Sequence, residues 1–438
     1  MGRGGGRVKG ADPYISGHGD LRYDVTHYAL SLTYALPSNK LDGTAEITCR
    51  AVGELSQVAL DLRLKPLKVS VAGRKVSRHR VLAGKLTITL AEPVAAGEEF
   101  TVTVKFSGNP APIAKRGQDA AGWEELDDGV IVASQPHGAP SWFPCNDRPS
   151  SKATYELTLT TAADYQVEFS GELVTQQRRG AQRTWTFRQT QPISSYLATV
   201  QIGRYQVITQ KSVVPLRVVG PAGIKNNGFS ASFGRQPEMM ALFVDRFGPY
   251  PFTGYTTVIT DDPLEIPLES ASLSTFGRNF AAADWDSVRL VAHELAHQWF
   301  GNAVTAREWR DIWLHEGFAC YAEWLWSEAS GQRSVADWAR HHHAILAGAS
   351  QKTVLSDPTA SEMFEDWVYK RGALTLHALR AEVGDQVFFD ILRSWVATHR
   401  GGSVSTADFV AHCSEVAGRD LAAWFGPWLH ETALPPLP

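Results

Sequence analysis

Residues 293–323 read HELAHQWFGNAVTAREWRDIWLHEGFACYAE. The first five are H-E-x-x-H. On a helix, His293 and His297 are four residues apart, so both imidazoles lie on one face and can reach a single ion. Glu294 is turned about 100° from His293 around the helix. It need not bind the metal and can serve as general base toward a metal-activated water. A catalytic zinc takes three protein ligands and keeps one position open. One class of such sites continues as H-E-x-x-H-x-x-G-x-x-H. Here Phe300 stands at the Gly position and Ala303 at the third His, which excludes that class. The other class draws a Glu from the following helix. Glu316 lies nineteen residues after His297, in an apolar helical stretch, and is the natural third ligand. The residues between suffice for a turn, a short extended piece and a return. His315 points about 100° away from Glu316 on a helix, so a supporting role is expected for it rather than ligation.

The chain around this stretch has 438 residues, enough for two or three domains. Hydrophobic residues make up 44% and charged residues 20%, a globular balance that can bury large cores. The formal net charge of -4 offers no basic field for DNA or RNA. The opening MGRGGGRVKG is too poor in apolar residues to fold, and residues 1–11 read as a disordered leader. Cys49, Cys145, Cys320 and Cys413 form no C-x-x-C, and a chain this long does not need disulfides. No apolar run reaches the roughly 18 residues of a membrane span. No apolar segment follows the N-terminal positive charges, so no secretory signal is read. These features lead us to expect a cytoplasmic protein with no nucleic-acid or membrane partner. A monomer is expected, with a homo-oligomer as the alternative.

The first half alternates in the manner of strands. HYALSLTYAL (27–36), GTAEITCRAV, KLTITL (85–90), EFTVTVKFSG (99–108) and the runs at 153–173, 183–190 and 196–208 are β-branched and aromatic, with Gly, Asn and Asp between them. They predict antiparallel sheets in a β-domain. Near residue 210 the character changes. VVPLRVVG and YTTVIT suggest two more strands, with QPEMMALFVDRFG a helix between them. From 285 onward helical spacing dominates: 285–301 with Gly301 as its C-cap, then 311–329, 335–346, 372–383, 385–399, 405–416 and 420–429. Ser405 and Asp408 form a loose capping box.

The motif stretch as a whole resembles the signature of the M1 aminopeptidases, the gluzincin family that includes aminopeptidase N and leukotriene A4 hydrolase. The family pattern is H-E-x-x-H-x-W-x-G-N followed by W-L-N-E-G-F-A. Only its second Asn differs here, being His315. FGPYPFTGYTTVI (247–259) and QPHGAPSWFPCNDRPSSKATYELTL (135–159) resemble further landmarks. The likeness runs from about residue 12 to the end. It implies a multidomain α+β protein: an N-terminal antiparallel β-domain over 12–208, then a thermolysin-like, mostly helical catalytic domain with a small mixed sheet over 209–438. It implies one zinc ion per chain on His293, His297 and Glu316, with Glu294 as catalytic base.

Further site residues follow from the resemblance. VYKRG (368–372) matches the family's Y-E-K-G and nominates Tyr369 as oxyanion donor, although the Glu and Lys become Lys370 and Arg371. IPLES (266–270) matches G-x-M-E-N, whose Glu binds the substrate α-amine. Glu269 is retained, while the Gly, Met and Asn become Ile266, Leu268 and Ser270. Gln135, ten residues before Cys145, matches a second amine-binding position. The chain reads as a short form without the helical domain that closes the cleft in larger members. The implied activity is a zinc aminopeptidase acting on peptides with a free N-terminus. The alternatives are a zinc endopeptidase or epoxide hydrolase of the same fold, and a silent peptide-binding scaffold.

Overall fold

The computed structural model describes residues 11–115, 118–349 and 352–438. The expected leader at 1–11 lies outside these, apart from Ala11. Two compact units meet in sequence between Ile202 and Gly203.

In the N-terminal unit the strands are β1 (Tyr23–Ala35), β2 (Lys40–Ala51), β3 (Leu55–Asp61), β4 (Lys65–Val71), β5 (Val76–Leu82), β6 (Lys85–Val94), β7 (Glu99–Gly108) and β8 (Ile113–Lys115). They continue as β9 (Gln118–Leu126), β10 (Gly129–Ala133), β11 (Lys152–Ala162), β12 (Gln166–Phe169), β13 (Glu172–Arg179), β14 (Gln182–Ser194) and β15 (Val200–Gly203). A seven-stranded sheet has the order β13-β14-β11-β1-β2-β7-β4, beside a sheet β12-β15-β10-β9-β8 and a smaller one, β3-β6-β5. The alternation read from the sequence is what builds them. Along β11, Ala153, Tyr155, Leu157 and Leu159 are buried while the residues between them are only partly covered. Each leucine buried this way contributes roughly 1.5–3 kcal/mol. Neighbours in the large sheet are antiparallel except β1 and β11, which run parallel with Leu30 beside Leu157 and Leu32 beside Leu159.

The C-terminal unit begins with β16 (Gln206–Gln210) and β17 (Leu216–Gly220), then α1 (Asn227–Ala231), α2 (Gln236–Phe247), β18 (Tyr255–Thr260), β19 (Leu268–Ser270) and β20 (Leu273–Gly277). It continues with α3 (Trp285–Ala296), β21 (Thr305–Ala306), α4 (Trp313–Ala329), α5 (Val335–Ala347), α6 (Asp366–Val383), α7 (Asp385–His399), β22 (Ser403–Val404), α8 (Thr406–Ala417) and α9 (Ala422–His430). The small mixed sheet has the order β16-β17-β18-β20-β19, so β19 is an edge strand. The expected architecture, a β-rich first part and a mostly helical second part with a small mixed sheet, is what the structure contains.

Local chemistry explains the helix limits. Asp284 caps α3 by accepting from the Ser287 N–H, and Ser405 and Asp408 form a reciprocal capping box on α8. Gly301 is not the cap of α3. The helix ends at Ala296 with His297 as its cap residue, and Gly301 lies in the next turn at φ +118. A Cβ there would stand 3.3 Å from both His297 Nδ1 and the His315 ring, so a side chain would press on both rings as well as adopt a strained φ. The helix expected at 372–383 starts earlier, at Asp366, which brings Tyr369 into its first turn. Where α4 packs on α6, Gly317 and Gly372 face each other, and a Cβ on either would lie 2.7 Å from the other's Cα. Two glycines therefore let the backbones beside Glu316 and Tyr369 approach closely.

Candidate active site

Helix α3 presents His293, Glu294 and His297, and the start of α4 presents Glu316. All four are buried. One ligand atom from each of His293, His297 and Glu316 lies within 4.8 Å of the others. The rings are oriented by bonds on their far sides. His293 Nδ1 donates to Glu323 Oε1 at 2.7 Å, and His297 Nδ1 donates to the Phe300 carbonyl at 3.1 Å. Both Nε2 atoms are left facing Glu316 Oε2, at 3.3 and 3.4 Å. An imidazole whose Nδ1–H is held by a carboxylate or a carbonyl is set up to give its Nε2 lone pair to a metal. Glu294 lies beside this group, and its Oε2 is buried without a hydrogen-bond partner. Two imidazoles, one carboxylate and a free carboxylate oxygen fit a catalytic zinc and its water.

The electrostatics point the same way. Burial alone lowers the His297 pKa, but the charges of Glu269 and Glu316 outweigh it and raise it to about 10. In His293 burial is likewise overcome, here by hydrogen bonds to Glu316 and Glu323. Burial raises Glu316, yet His297 and the hydrogen bonds from both histidines hold it well below the usual carboxylate range. The cluster is a buried negative pocket, and a dication placed in it neutralises charge that protons on the histidines would otherwise have to balance.

Glu269 enters the same cluster from β19. Its carboxylate, that of Glu294 and His297 form a second group with ligand atoms within 4.8 Å. Burial raises its pKa to about 8, with His297 opposing and Glu316 and Glu294 adding to the rise. The strand that carries it is pinned by α3 and the turn after it. The side-chain amides of Gln298 and Asn302 both donate to the Ser270 carbonyl, at 3.0 and 2.9 Å, and Ser272 N–H donates to Gln298 Oε1 at 2.8 Å. The polar residues of HQWFGN thus serve to hold the IPLES strand in place.

Tyr369 is half-buried, with its ring stacked on His293 at a centroid distance of 5.8 Å. Burial, the charges of Glu316, Glu269 and Glu294, and a hydrogen bond to Glu316 raise its phenol well above the ordinary value, so it stays protonated. His315 supports the turn: its Nε2 accepts from the Ala306 N–H at 2.7 Å. Gln135 belongs to the N-terminal unit, half-buried in the loop after β10.

Sequence reading missed the carboxylate that orients His293. Glu323 lies two helical turns beyond Glu316 on α4 and is held in turn by Arg289, at 3.3 Å, from one turn before His293 on α3. Buried Lys370 adds positive charge, drawing the Glu323 pKa down to about 2 against the opposing effect of burial. The seven-residue spacing from Glu316 to Glu323 was the available signal.

The fold and this site are of the gluzincin type. Comparison with known families places the chain within that type. Residues 232–428 match the peptidase family M1 domain and 24–197 match the peptidase M1 N-terminal domain. A mutant M1 zinc metallopeptidase from Deinococcus radiodurans, solved with a Tyr-Ser-Ala substrate, superposes with a TM-score of 0.89 at 32% identity, over 98% of each chain. A two-domain M1 zinc metallopeptidase mutant bound to L-arginine matches equally well, with a TM-score of 0.89, 32% identity and 98% of each chain covered. Aminopeptidase 2 of Candida albicans is 24% identical over 93% of this chain and 47% of its own length. The chain spans about half the length of that relative. This chain belongs to peptidase family M1. Its buried cluster is a single zinc site of that family's H-E-x-x-H type.

Proposed function

We propose that the protein is a zinc aminopeptidase that releases N-terminal residues from peptides, with His293, His297 and Glu316 as the ligands. The observation that carries this reading is the convergence of Glu269 with Glu294 and His297 within 4.8 Å. An α-ammonium held by Glu269 leaves the first carbonyl only two bonds further along the substrate, beside the base. Zinc, when bound, supplies Lewis acidity toward that carbonyl and makes water acidic enough to be activated near neutral pH. Glu294, whose Oε2 has no other partner, takes the proton of the attacking water and passes it to the leaving amine. Tyr369, kept protonated, donates a hydrogen bond to the oxyanion that develops.

The free amino acid and the tripeptide bound by the structural relatives support substrates with a free N-terminus. In this reading residues 12–208 form the β-domain and 209–438 carry the chemistry. No helix among the described residues is long and apolar enough to cross a membrane. The four buried cysteines, all free thiols, support a cytoplasmic setting. Hydrolysis of an aminoacyl amide against its N-acetylated counterpart tests the proposal. The free amine is the expected substrate, and Glu269→Gln should raise KM for it. Equal or faster cleavage of the blocked compound would make the enzyme an endopeptidase instead.

A further inference from the structure

The net charge of -4 conceals a segregated stretch in the N-terminal unit. Between Asp61 and Glu92 the chain carries eight lysines and arginines and no acidic residue. Two of these are paired, Lys85 with Asp61 and Arg74 with Glu98. The other six, Arg63, Lys65, Lys68, Lys75, Arg78 and Arg80, are exposed and form no ion pair among the described residues. They lie on or beside β4 and β5. Both strands are sheet edges: β4 pairs only with β7, and β5 only with β6. The two are consecutive in the chain and pack beside each other. Along β5 every residue from Ser77 to Leu82 is exposed, including Val81 and Leu82.

An open edge strand offers a line of unpaired N–H and C=O groups to any extended chain that reaches it. The charge on this edge decides which chain that is. A second copy would bring the same cations opposite one another, and like charges across a strand pair are destabilising. An acidic strand meets the reverse situation. Arg78 and Arg80 project to the same face, about 7 Å apart, which is the spacing of alternate side chains on an added strand. Leu82, next on that face, offers apolar contact beside them, and Val81 does so on the opposite face. The main-chain edge is what favours a peptide over other polyanions, because a lipid surface or a nucleic acid makes no use of a ladder of backbone groups.

We propose that the open edge of β5 takes up an extended acidic protein segment as an added strand, with Arg78 and Arg80 pairing its alternate carboxylates. The test uses the full chain and a fluorescent peptide of about ten alternating Glu and Val residues, acetylated so that it offers no free amine, read by anisotropy. Saturable binding that weakens with salt is expected. Arg78→Glu/Arg80→Glu should weaken it about tenfold or more, while Arg78→Lys/Arg80→Lys retains most of it. Unchanged hydrolysis of an aminoacyl amide by these variants would show that they are folded. A peptide N-methylated at a central glutamate and at the valine after it keeps the charge but loses an N–H on each edge of the strand, and should bind much more weakly. Absence of binding, or equal binding of the N-methylated peptide, would overturn the proposal. So would phosphatidylserine vesicles or a single-stranded oligonucleotide binding through the same two arginines more tightly than the peptide.

Discussion

Each unit of the protein buries a cluster of histidine and carboxylates, and the two clusters are built on opposite principles. In the N-terminal unit every carboxylate oxygen of Asp61 and Asp147 has a protein partner. Asp61 Oδ1 meets Lys85 at 2.5 Å, and its Oδ2 accepts from the Gly19 and Asp147 N–H groups at 2.8 and 3.2 Å. Asp147 Oδ2 lies 2.6 Å from His18 Nδ1, and its Oδ1 accepts from Ser195 Oγ at 2.8 Å. These charges are consumed in joining segments distant in sequence. In the C-terminal unit the outer atoms of the cluster are likewise bonded, but the inner ones converge: both Nε2 atoms and Glu316 Oε2 face one point, with the free Oε2 of Glu294 beside them. Buried charge that is satisfied internally holds a fold together. Buried charge that converges without satisfaction is kept for something the chain itself does not supply.

Substitutions on the two sides should separate these roles. Glu294→Gln is expected to lower kcat by about 10²–10⁴-fold with the melting temperature retained or raised, because a buried unpartnered charge is removed. Steady-state kinetics alongside calorimetry will show it, and a variant with full activity would end the base assignment. Asp61→Asn leaves Lys85 without its counter-charge and should cost about 2–3 kcal/mol in denaturant unfolding. A loss below a few tenths of a kcal/mol would mean that the N-terminal cluster is not structural. Glu323→Gln stands between the two, since Gln still accepts from His293 but no longer carries charge. Zinc affinity measured by chelator competition should fall about tenfold with little change in fold stability. Wild-type affinity would place Glu323 outside the metal's influence.

How much of this could be read beforehand depended on distance along the chain. His293, Glu294 and His297 stand within one helical turn, so their common face follows from periodicity alone. Glu316 needed one further assumption, a return of the chain to the same point. Tyr369 and Glu269 were reached only through the family likeness, because nothing local distinguishes Tyr369 from other tyrosines or Glu269 from a surface glutamate. Glu323 and Arg289 had visible spacing but no signal that their charge faced His293. Gly301 was misread because a glycine after a helix suggests a cap, whereas here the ring of His315, fourteen residues on, accounts for it as much as the turn does.

The sequence by itself determined the family's H-E-x-x-H pattern, the helices that carry His293, His297 and Glu316, and the alternation that buries one face of each strand of the first unit. These are short-range properties, set by the 3.6-residue and two-residue repeats of the backbone. The tertiary structure alone decided that Gln298 and Asn302 pin the strand of Glu269, that Gly317 and Gly372 let α4 and α6 close on each other, and that the cations of β4 and β5 collect on open edges. Each of these depends on which backbone approaches which, and long-range packing rather than local propensity sets that approach.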